Sequence, residues 1–534
     1  MIRGMKLAIS VMLFIQVMSN LRAFSQAFSV SFPFEVDSLR GFVCIQLSIN
    51  EREPRWFILD TGANNAYLTY EAAEHFGVSI DKSKKETVSM SWHGKIEGYV
   101  VDQPPPLALS TQLTRMGSFT YKIQGPIVIF PSDFRFDSVL IRGRLVRPAG
   151  MVGLNIFGDQ VIRICYDTQT LTIANEPLRE GWVEITGKPC CGDFFCARIN
   201  VGDYTFDALI DSGLDAELSL NRDWGERLKQ YLWRPFMESE TRTLYDAFLI
   251  PPVKIGELAL SILRVQTHTP ALPPILGSFG MLHFNWQFDC AERRVYVQLR
   301  RNPPRFYCKA HLLRSTFIQC LGNECTITAV PRSEAERLGI IGECALVAIN
   351  DIPLREIQQH FGTQRVVNFY QGLVLSPIIG QVRLQVRCND DLKEIIFDNV
   401  LSLRDQTSIS YFISKNRIFS GIETYDDEFM VRFRPESPAK SSIDGKPIQL
   451  GDKDEVKLHL IRIVGLDSDK PTIEEFFLHL RSHLLQGKPV QLVCKDEQGR
   501  EVLVEIPAAE PPKAGDTPSQ ETSSPAPPKE TEDE

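Results

Sequence analysis

A surplus of one charge is the first thing this chain lacks: 58 Lys and Arg stand against 67 Asp and Glu over 534 residues, a formal net charge of −9. Residues 508–534 hold seven acids and two lysines, so about −4 remains for everything before them. That near balance argues against a nucleic-acid binder, which needs a large phosphate-neutralising surface. Gly-x-x-x-x-Gly-Lys-Ser/Thr and Gly-x-Gly-x-x-Gly are both missing, which removes the usual support for nucleotide binding. Histidine is sparse as well. His479 and His483 have a zinc-like spacing but no adjacent Glu base and no evident third ligand, so they read as an exposed helix face, and neither a metal nor another cofactor is expected. Apolar runs of membrane-spanning length are absent beyond the first segment.

That first segment reads as an address. Arg3 and Lys6 precede the apolar stretch Leu7–Met18, and Ser25-Gln26-Ala27 supplies small residues for cleavage, so 1–27 is expected to be a signal peptide. The expected destination is the periplasm or the extracellular space, with no integral membrane segment once the signal is removed. Twelve cysteines suit an oxidising compartment. Cys320 and Cys325, and the crowd of Cys190, Cys191 and Cys196, have spacings for local bridges; Cys44, Cys165, Cys290, Cys344 and Cys388 sit in apolar strand-like runs and read as small buried residues. The 43% hydrophobic and 23% charged composition is ordinarily globular, and the length calls for three or four domains.

Two segments, 28–180 and 181–300, follow one plan. The first has Phe57-Ile58-Leu59-Asp60-Thr61-Gly62-Ala63 and later Met151-Val152-Gly153; the second has Ala208-Leu209-Ile210-Asp211-Ser212-Gly213-Leu214 and later Ile275-Leu276-Gly277. Each runs from an apolar strand through an Asp-Thr/Ser-Gly turn to a second apolar strand, then to two apolar residues and a Gly, and closes on a hairpin. This is an internal β-rich repeat. One such tripeptide is weak evidence; two in matching contexts are strong, because they raise the question of whether two carboxylates meet.

In these residues the sequence resembles the pepsin and retropepsin group of aspartic proteases, over about residues 30–300. The resemblance implies a mainly β fold, bilobal, with a pair of pepsin-like double-ψ barrels. Asp60 and Asp211 would form the catalytic dyad. Two carboxylates about 3 Å apart cannot both ionise, so they share a proton, and the pair can act as general base and general acid on a bound water. Gly62 and Gly213 would allow close approach of the two loops, and the hydroxyls of Thr61 and Ser212 would bond to the opposite loop's backbone. Ala63 and Leu214 stand where such enzymes usually carry a hydroxyl residue, which should raise the dyad's pKa values. Asp215 and Glu217 read as solvated strand-edge charges. Ser89–Val100, with Trp92, His93 and Gly94 at its centre, is a candidate flap hairpin, and an ordinary exposed hairpin is the alternative.

Downstream the texture changes. Thr326–Val330, Ser333–Gly339, Gly342-Glu343 and Leu346–Asp351 resemble a PDZ domain of the kind attached to bacterial envelope proteases, with Gly-Glu where Gly-Asp is usual. Such a domain, expected over 309–405, binds chain ends by strand addition, with Thr326, Ile327 and Thr328 as the candidate groove. Residues 427–507 read as a candidate second, divergent copy, since Gly487–Cys494 echoes Gly380–Cys388. A capping box at Thr472 and Glu475 opens a helix there. The tail 508–534, acidic and rich in Pro, Ser and Thr, is expected to be disordered.

The function expected is that of an aspartic endopeptidase, monomeric, acting on protein or peptide substrates, with the α+β PDZ-like modules holding substrate or partner chain ends. The alternative is a non-catalytic binding or scaffold protein with a degenerate second lobe, the reading that Leu214 keeps open.

Overall fold

The computed structural model describes residues 28–90, 94–101, 103–113, 117–123, 125–192, 194–228, 232–233, 247–249, 253–260, 263–268, 272–302, 316–330, 333–397, 419–425, 428–433, 439–443, 446–448, 456–466, 471, 476, 479–480, 483 and 488–507. The expected signal segment, the acidic tail, Thr472, Glu475, Trp92 and His93 lie outside them. The fold is mainly β.

The repeat read in the sequence is a repeat in space. Val43–Ile49 and Arg55–Leu59 pair antiparallel, and Gly150–Val152 inserts between Arg55–Leu59, parallel to it, and Ala66–Leu68, antiparallel to it. The second half does the same: Cys196–Val201 pairs with Tyr204–Asp211, and Ile275–Gly277 inserts between Tyr204–Asp211 and Leu218–Asn221 with the same two polarities. Strands flanked on both edges and covered on both faces must be apolar throughout. Phe57, Ile58, Leu59 and Val152 are accordingly buried, as are Leu209, Ile210, Ile275 and Leu276. The glycine that ends each inserted segment is a steric necessity. A Cβ on Gly153 would lie 1.9 Å from the carbonyl oxygen of Ala63, and one on Gly277 would lie 2.5 Å from that of Ala216.

The two halves are joined by a six-stranded sheet to which each contributes three strands. Val161–Cys165 pairs with Phe284–Asp289, from Val161 opposite Asp289 to Ile164 opposite Trp286. Thr170–Ala174 and Ser29–Val36 extend the sheet on one side, and Arg294–Leu299 and Val183–Glu184 on the other. Phe284–Asp289 is buried along its whole length, including Gln287. That amide escapes the penalty of an unpaired buried polar group because its oxygen accepts from Arg163 Nε at 3.0 Å and Leu178 N at 2.8 Å, while its nitrogen donates to Leu178 O at 3.0 Å.

A third body belongs to the same compact unit. Its sheet runs Thr316–Leu321, Glu324–Ala329, Glu343–Ile349, Val382–Cys388, Asp391–Phe397, with the helices Leu354–Phe361 and Val366–Leu375 between the third and fourth strands. Two sequence expectations are corrected here. Cys344 and Cys388 are not separate thiols but a disulfide across adjacent strands. An apolar run says only that a cysteine points inward; the register decides whether it meets another. Glu324–Ala329 is paired on both edges, Thr326 facing Gln319 on one side and Ala345 on the other, so Thr326, Ile327 and Thr328 offer no open edge to an added strand. The bridges Cys190–Cys196 and Cys320–Cys325 form as their spacing suggested.

The remaining compact unit, 408–420 and 428–534, contains Val456–Ile463 paired with Val490–Lys495, which pairs with Glu501–Ile506. Val456–Ile463 carries an irregularity between Leu460 and Arg462, as Glu343–Ile349 does between Leu346 and Ala348. His479 and His483 are half-buried with stacked rings 4.0 Å apart, not an exposed face.

One buried charge stands out. Asp37 is fully buried, and its Oδ1 accepts from Leu39 N at 3.0 Å and Leu140 N at 2.7 Å, while Oδ2 has no hydrogen-bond partner among the described residues. Burial pushes its carboxyl up from 3.8 to about 6, against the opposing charge of Arg40. A carboxyl raised in the folded state favours folding while protonated, and that advantage is lost as pH rises from about 4 through 6. Asp37→Asn should therefore gain stability relative to wild type by about 2 kcal/mol between pH 4 and 7, read from urea unfolding at the two pH values.

Candidate active site

Each dyad carboxylate sits at the end of a buried strand, where the chain turns back sharply. Asp60 N still donates to Val152 O at 2.8 Å, as part of the sheet, and Ala63 N then closes the turn on Asp60 O at 3.1 Å. In the second copy Leu214 N closes on Asp211 O at 3.2 Å. The side chains are clamped by their own loops: Gly62 N donates to Asp60 Oδ1 at 2.8 Å and Gly213 N to Asp211 Oδ1 at 2.9 Å.

The two turns face each other. A Cβ on Gly62 would lie 2.7 Å from Asp211 Cγ, and one on Gly213 would lie 2.5 Å from Asp60 Cγ. No side chain other than hydrogen fits either place, which is why each Asp is followed two residues later by glycine. The structure thus brings Asp60 and Asp211 together, each carboxyl filling the space beside the other turn's glycine.

Behind the carboxylates Thr61 and Ser212 exchange bonds. Thr61 Oγ1 donates to Ile210 O at 2.7 Å and accepts from Ser212 N at 3.0 Å. Ser212 Oγ donates to Leu59 O at 2.7 Å and accepts from Thr61 N at 2.9 Å. Both residues are buried, so all four bonds form away from competing water. A hydroxyl is the smallest side-chain group that can donate and accept at once, which is what each position requires.

Electrostatics follow from this packing. Burial first, then the charge of Asp211, push Asp60 well above the usual carboxylate range. Burial also raises Asp211, and the charge of Asp215 adds to it. The pair therefore retains one proton at pH values where an isolated Asp has lost it, and it titrates as a unit. Asp215 is exposed, as expected of a solvated strand-edge charge, yet its charge reaches the dyad. Glu217 departs from that expectation: it is 1% exposed, with Oε2 3.8 Å from His283 Nε2. The pattern Asp-Ala-Glu-Leu could not show that the last carboxyl turns inward.

Neither Ala63 nor Leu214 supplies a hydroxyl. Ala63 is buried in an apolar cluster with Tyr67, Phe130 and Met151, while Leu214 is half-buried and uses its carbonyl to accept from Ser278 N at 2.8 Å and Ala216 N at 2.9 Å. The second turn is thus as fully bonded as the first despite the bulk of Leu214.

The candidate flap is a hairpin: Lys85–Met90 pairs with Gly94–Val100, Met90 opposite Gly94. It springs from the dyad-bearing sheet, since Tyr99 and Val100 pair with Ile129 and Val128, and Ile127–Ile129 runs beside Ala66–Leu68. Sequence reasoning missed two features. Tyr67 stacks on Phe130 with centroids 5.5 Å apart, and Phe134 and Phe136 complete an aromatic group; the signal was three Phe within seven residues. Burial, then the charges of Glu86 and Asp60, push the Tyr67 hydroxyl up to about 12. The other is Ser278, fully buried directly after Gly277. Among the described residues no group of three or more His, Cys, Asp or Glu is arranged to hold a metal.

Removing one hydroxyl of the exchange leaves a buried carbonyl and a buried amide without partners. Thr61→Val and Ser212→Ala should each destabilise by about 1–3 kcal/mol, and the double variant by less than their sum, because the two share one network. Chemical denaturation of the four proteins in the cycle measures both effects.

Residues 45–131, which include the first Asp-Thr-Gly turn and the candidate flap, match the family model described as aspartyl protease. No curated protein matches the chain. Among solved structures, the aspartic proteinase from Irpex lacteus is 12% identical, covers 51% of this chain and 98% of its own, and aligns with a TM-score of 0.33. On the family match and the geometry of its turns, the first part of this chain is aspartic protease-like.

Proposed function

We propose that this protein is an aspartic-type endopeptidase that hydrolyses peptide bonds with Asp60 and Asp211 as a catalytic dyad. The observation that carries the reading is the reciprocal bonding of Thr61 and Ser212, which holds the Asp60 and Asp211 turns face to face, each carboxyl against the opposite glycine. A buried pair sharing one proton has the two capacities that hydrolysis needs. The ionised member takes a proton from a water placed between the carboxyls, and the water oxygen attacks the scissile carbonyl carbon. The protonated member donates to the carbonyl oxygen, giving a neutral tetrahedral diol. Proton transfer to the amide nitrogen then lets the C–N bond break, leaving an acid and an amine and restoring the shared proton. No covalent enzyme intermediate is involved, and because the dyad titrates as a unit neither carboxyl is given a fixed role.

Gly62 and Gly213 serve this chemistry by close approach and by their N–H groups, which keep each carboxylate aimed at the other. In this reading the hairpin formed by Lys85–Met90 and Gly94–Val100 covers the bound peptide and excludes water. One chain supplies both carboxylates, so a monomer suffices. The body formed by 316–397 is proposed as a PDZ-like module that takes extended chain ends, and 427–507 as a divergent second copy. Thr316–Leu321, which among the described residues pairs on one edge only, is the better place for strand addition than Thr326–Thr328. The three disulfides among the described residues, with the charged and apolar pattern at the start of the sequence, support export to the periplasm or outside the cell. A non-catalytic peptide binder on the same frame is the second reading, favoured by the absence of hydroxyls at Ala63 and Leu214.

Incubating the protein with denatured casein and a peptide library between about pH 3 and 8 separates the two. Wild type should cleave, and Asp60→Asn and Asp211→Asn should each lose about a thousandfold or more in kcat. Binding without cleavage, or equal cleavage by all three, removes the proposal. Because burial and mutual repulsion raise the pair, the alkaline limb of kcat/KM should lie above the ordinary carboxylate range of about 4. A profile with its maximum near about pH 3 contradicts that direction.

A further inference from the structure

The second dyad turn has an attachment that the first lacks. Gly277 ends the segment inserted beside Asp211, and the next residue, Ser278, is fully buried. Its N–H donates to Leu214 O at 2.8 Å, within the turn that carries Asp211. Its hydroxyl donates to the carbonyl of Arg40, in the loop 37–42 of the first lobe. In the first lobe Leu154 follows Gly153, and Leu154 has no hydroxyl to offer. The pseudo-symmetry of the site is therefore broken at this contact.

The loop that receives Ser278 is itself held from three sides. From the first lobe, Ser38 N donates to Leu140 O at 2.9 Å, Asp37 accepts from Leu140 N, and Arg40 pairs with Asp137 at 3.2 Å. From the second, Gly41 lies so close that a Cβ would be 2.9 Å from Phe279 Cδ1; its φ of 74° also requires glycine. From the body 316–397, Ser376 Oγ donates to Ser38 O at 2.6 Å, directly after the helix Val366–Leu375. Leu39, 3% exposed, belongs to the apolar core of that body rather than to the core of its own lobe, and Leu140 and Leu145 join it there.

The contact around the loop is extensive. Ser138 Oγ meets His360 Nδ1 at 2.8 Å, Arg147 Nη2 donates to His360 O at 3.2 Å, and Arg365 Nη1 donates to Asp137 Oδ1 at 2.7 Å. A merely tethered substrate-binding module would not have a neighbouring lobe's leucines in its core. Contiguous bonds lead from Ser376 to Ser38, along two residues of backbone to Arg40, across to Ser278, and on to Leu214 and Asp211.

We propose that Ser376 and Ser278 are positioning residues for the dyad, through which the 316–397 body holds the loop 37–42 and that loop holds the turn of Asp211. This rests on the hydrolytic reading above. Neither serine touches substrate; each acts by fixing where the Asp211 carboxyl lies relative to Asp60. Such a role moves turnover more than substrate binding, since a displaced carboxyl weakens the transition state while leaving peptide contacts elsewhere in place.

The test uses the full chain with Ser376→Ala, Ser278→Ala and the double variant, a cleaved peptide as substrate, and hydrogen–deuterium exchange read by mass spectrometry. Each single variant should lower kcat by about fivefold with KM changed by less than about twofold. The double variant should be no worse than Ser278→Ala, because the two bonds act in series. Ser376→Ala should also speed exchange in peptides spanning 211–217, not only in those spanning 38–41. Faster exchange confined to 38–41 and the 366–375 helix, or kcat losses that multiply in the double variant, overturns the proposal. Exchange also reports whether each variant is folded. If wild type and Asp211→Asn both leave every peptide intact, the hydrolytic reading fails, while the exchange pattern at 211–217 still decides whether the two serines hold that turn.

Discussion

Two acidic side chains packed against each other repel whenever both are ionised, so their meeting depends on a frame that holds them. What keeps them is the exchange between Thr61 and Ser212, in which each hydroxyl reaches across to the other strand's carbonyl and receives the other residue's amide. The cost of bringing the carboxyls together is met in large part by bonds that do not involve them. Burial, which makes the pair expensive, also makes those four bonds strong, because no water competes for either partner. The remaining architecture serves to deliver two turns to this point at the same depth and in opposite directions.

The delivery is done twice by one device. A short apolar segment ending in glycine inserts beside each Asp-bearing strand, and the glycine is needed because the turn's own carbonyls occupy the space of a Cβ. The six-stranded sheet then fixes the two copies relative to each other through the pairing of Val161–Cys165 with Phe284–Asp289. A carboxyl pair this closely packed tolerates little relative motion of its lobes, so a continuous sheet between them is a more suitable joint than a loop. The body 316–397 adds a third support on one side only, where Leu39 leaves its own lobe for a neighbouring core.

Much of this was legible in the chain. The duplicated plan, the two aspartates, the two glycines and the two hydroxyls are local patterns, and local patterns survive in a sequence because turn geometry and strand burial dictate residue type position by position. Val382, Leu384 and Val386 are buried while Arg383, Gln385 and Arg387 between them are not, another pattern that adjacent residues alone carry. What failed was whatever depends on the register between distant segments. Cys344 and Cys388 looked like two buried thiols because each strand was read alone. Thr326–Thr328 looked like a free edge because the strand before it was not visible as a partner. Glu217 looked solvated because its burial comes from other segments of the second lobe rather than from its own neighbours.

By itself, then, the sequence determined that two Asp-Thr/Ser-Gly turns exist, that each ends a buried strand, and that a hydroxyl residue and a glycine follow each carboxylate. Those are consequences of short-range sterics and hydrogen-bonding capacity, which depend on adjacent residues. Only the tertiary structure decided that the turns meet, that Ser278 ties one of them to the loop 37–42, and that this loop is packed against a third body. Contacts between residues more than a hundred positions apart depend on strand register and on the faces that domains present to one another, and no periodicity within a segment encodes either.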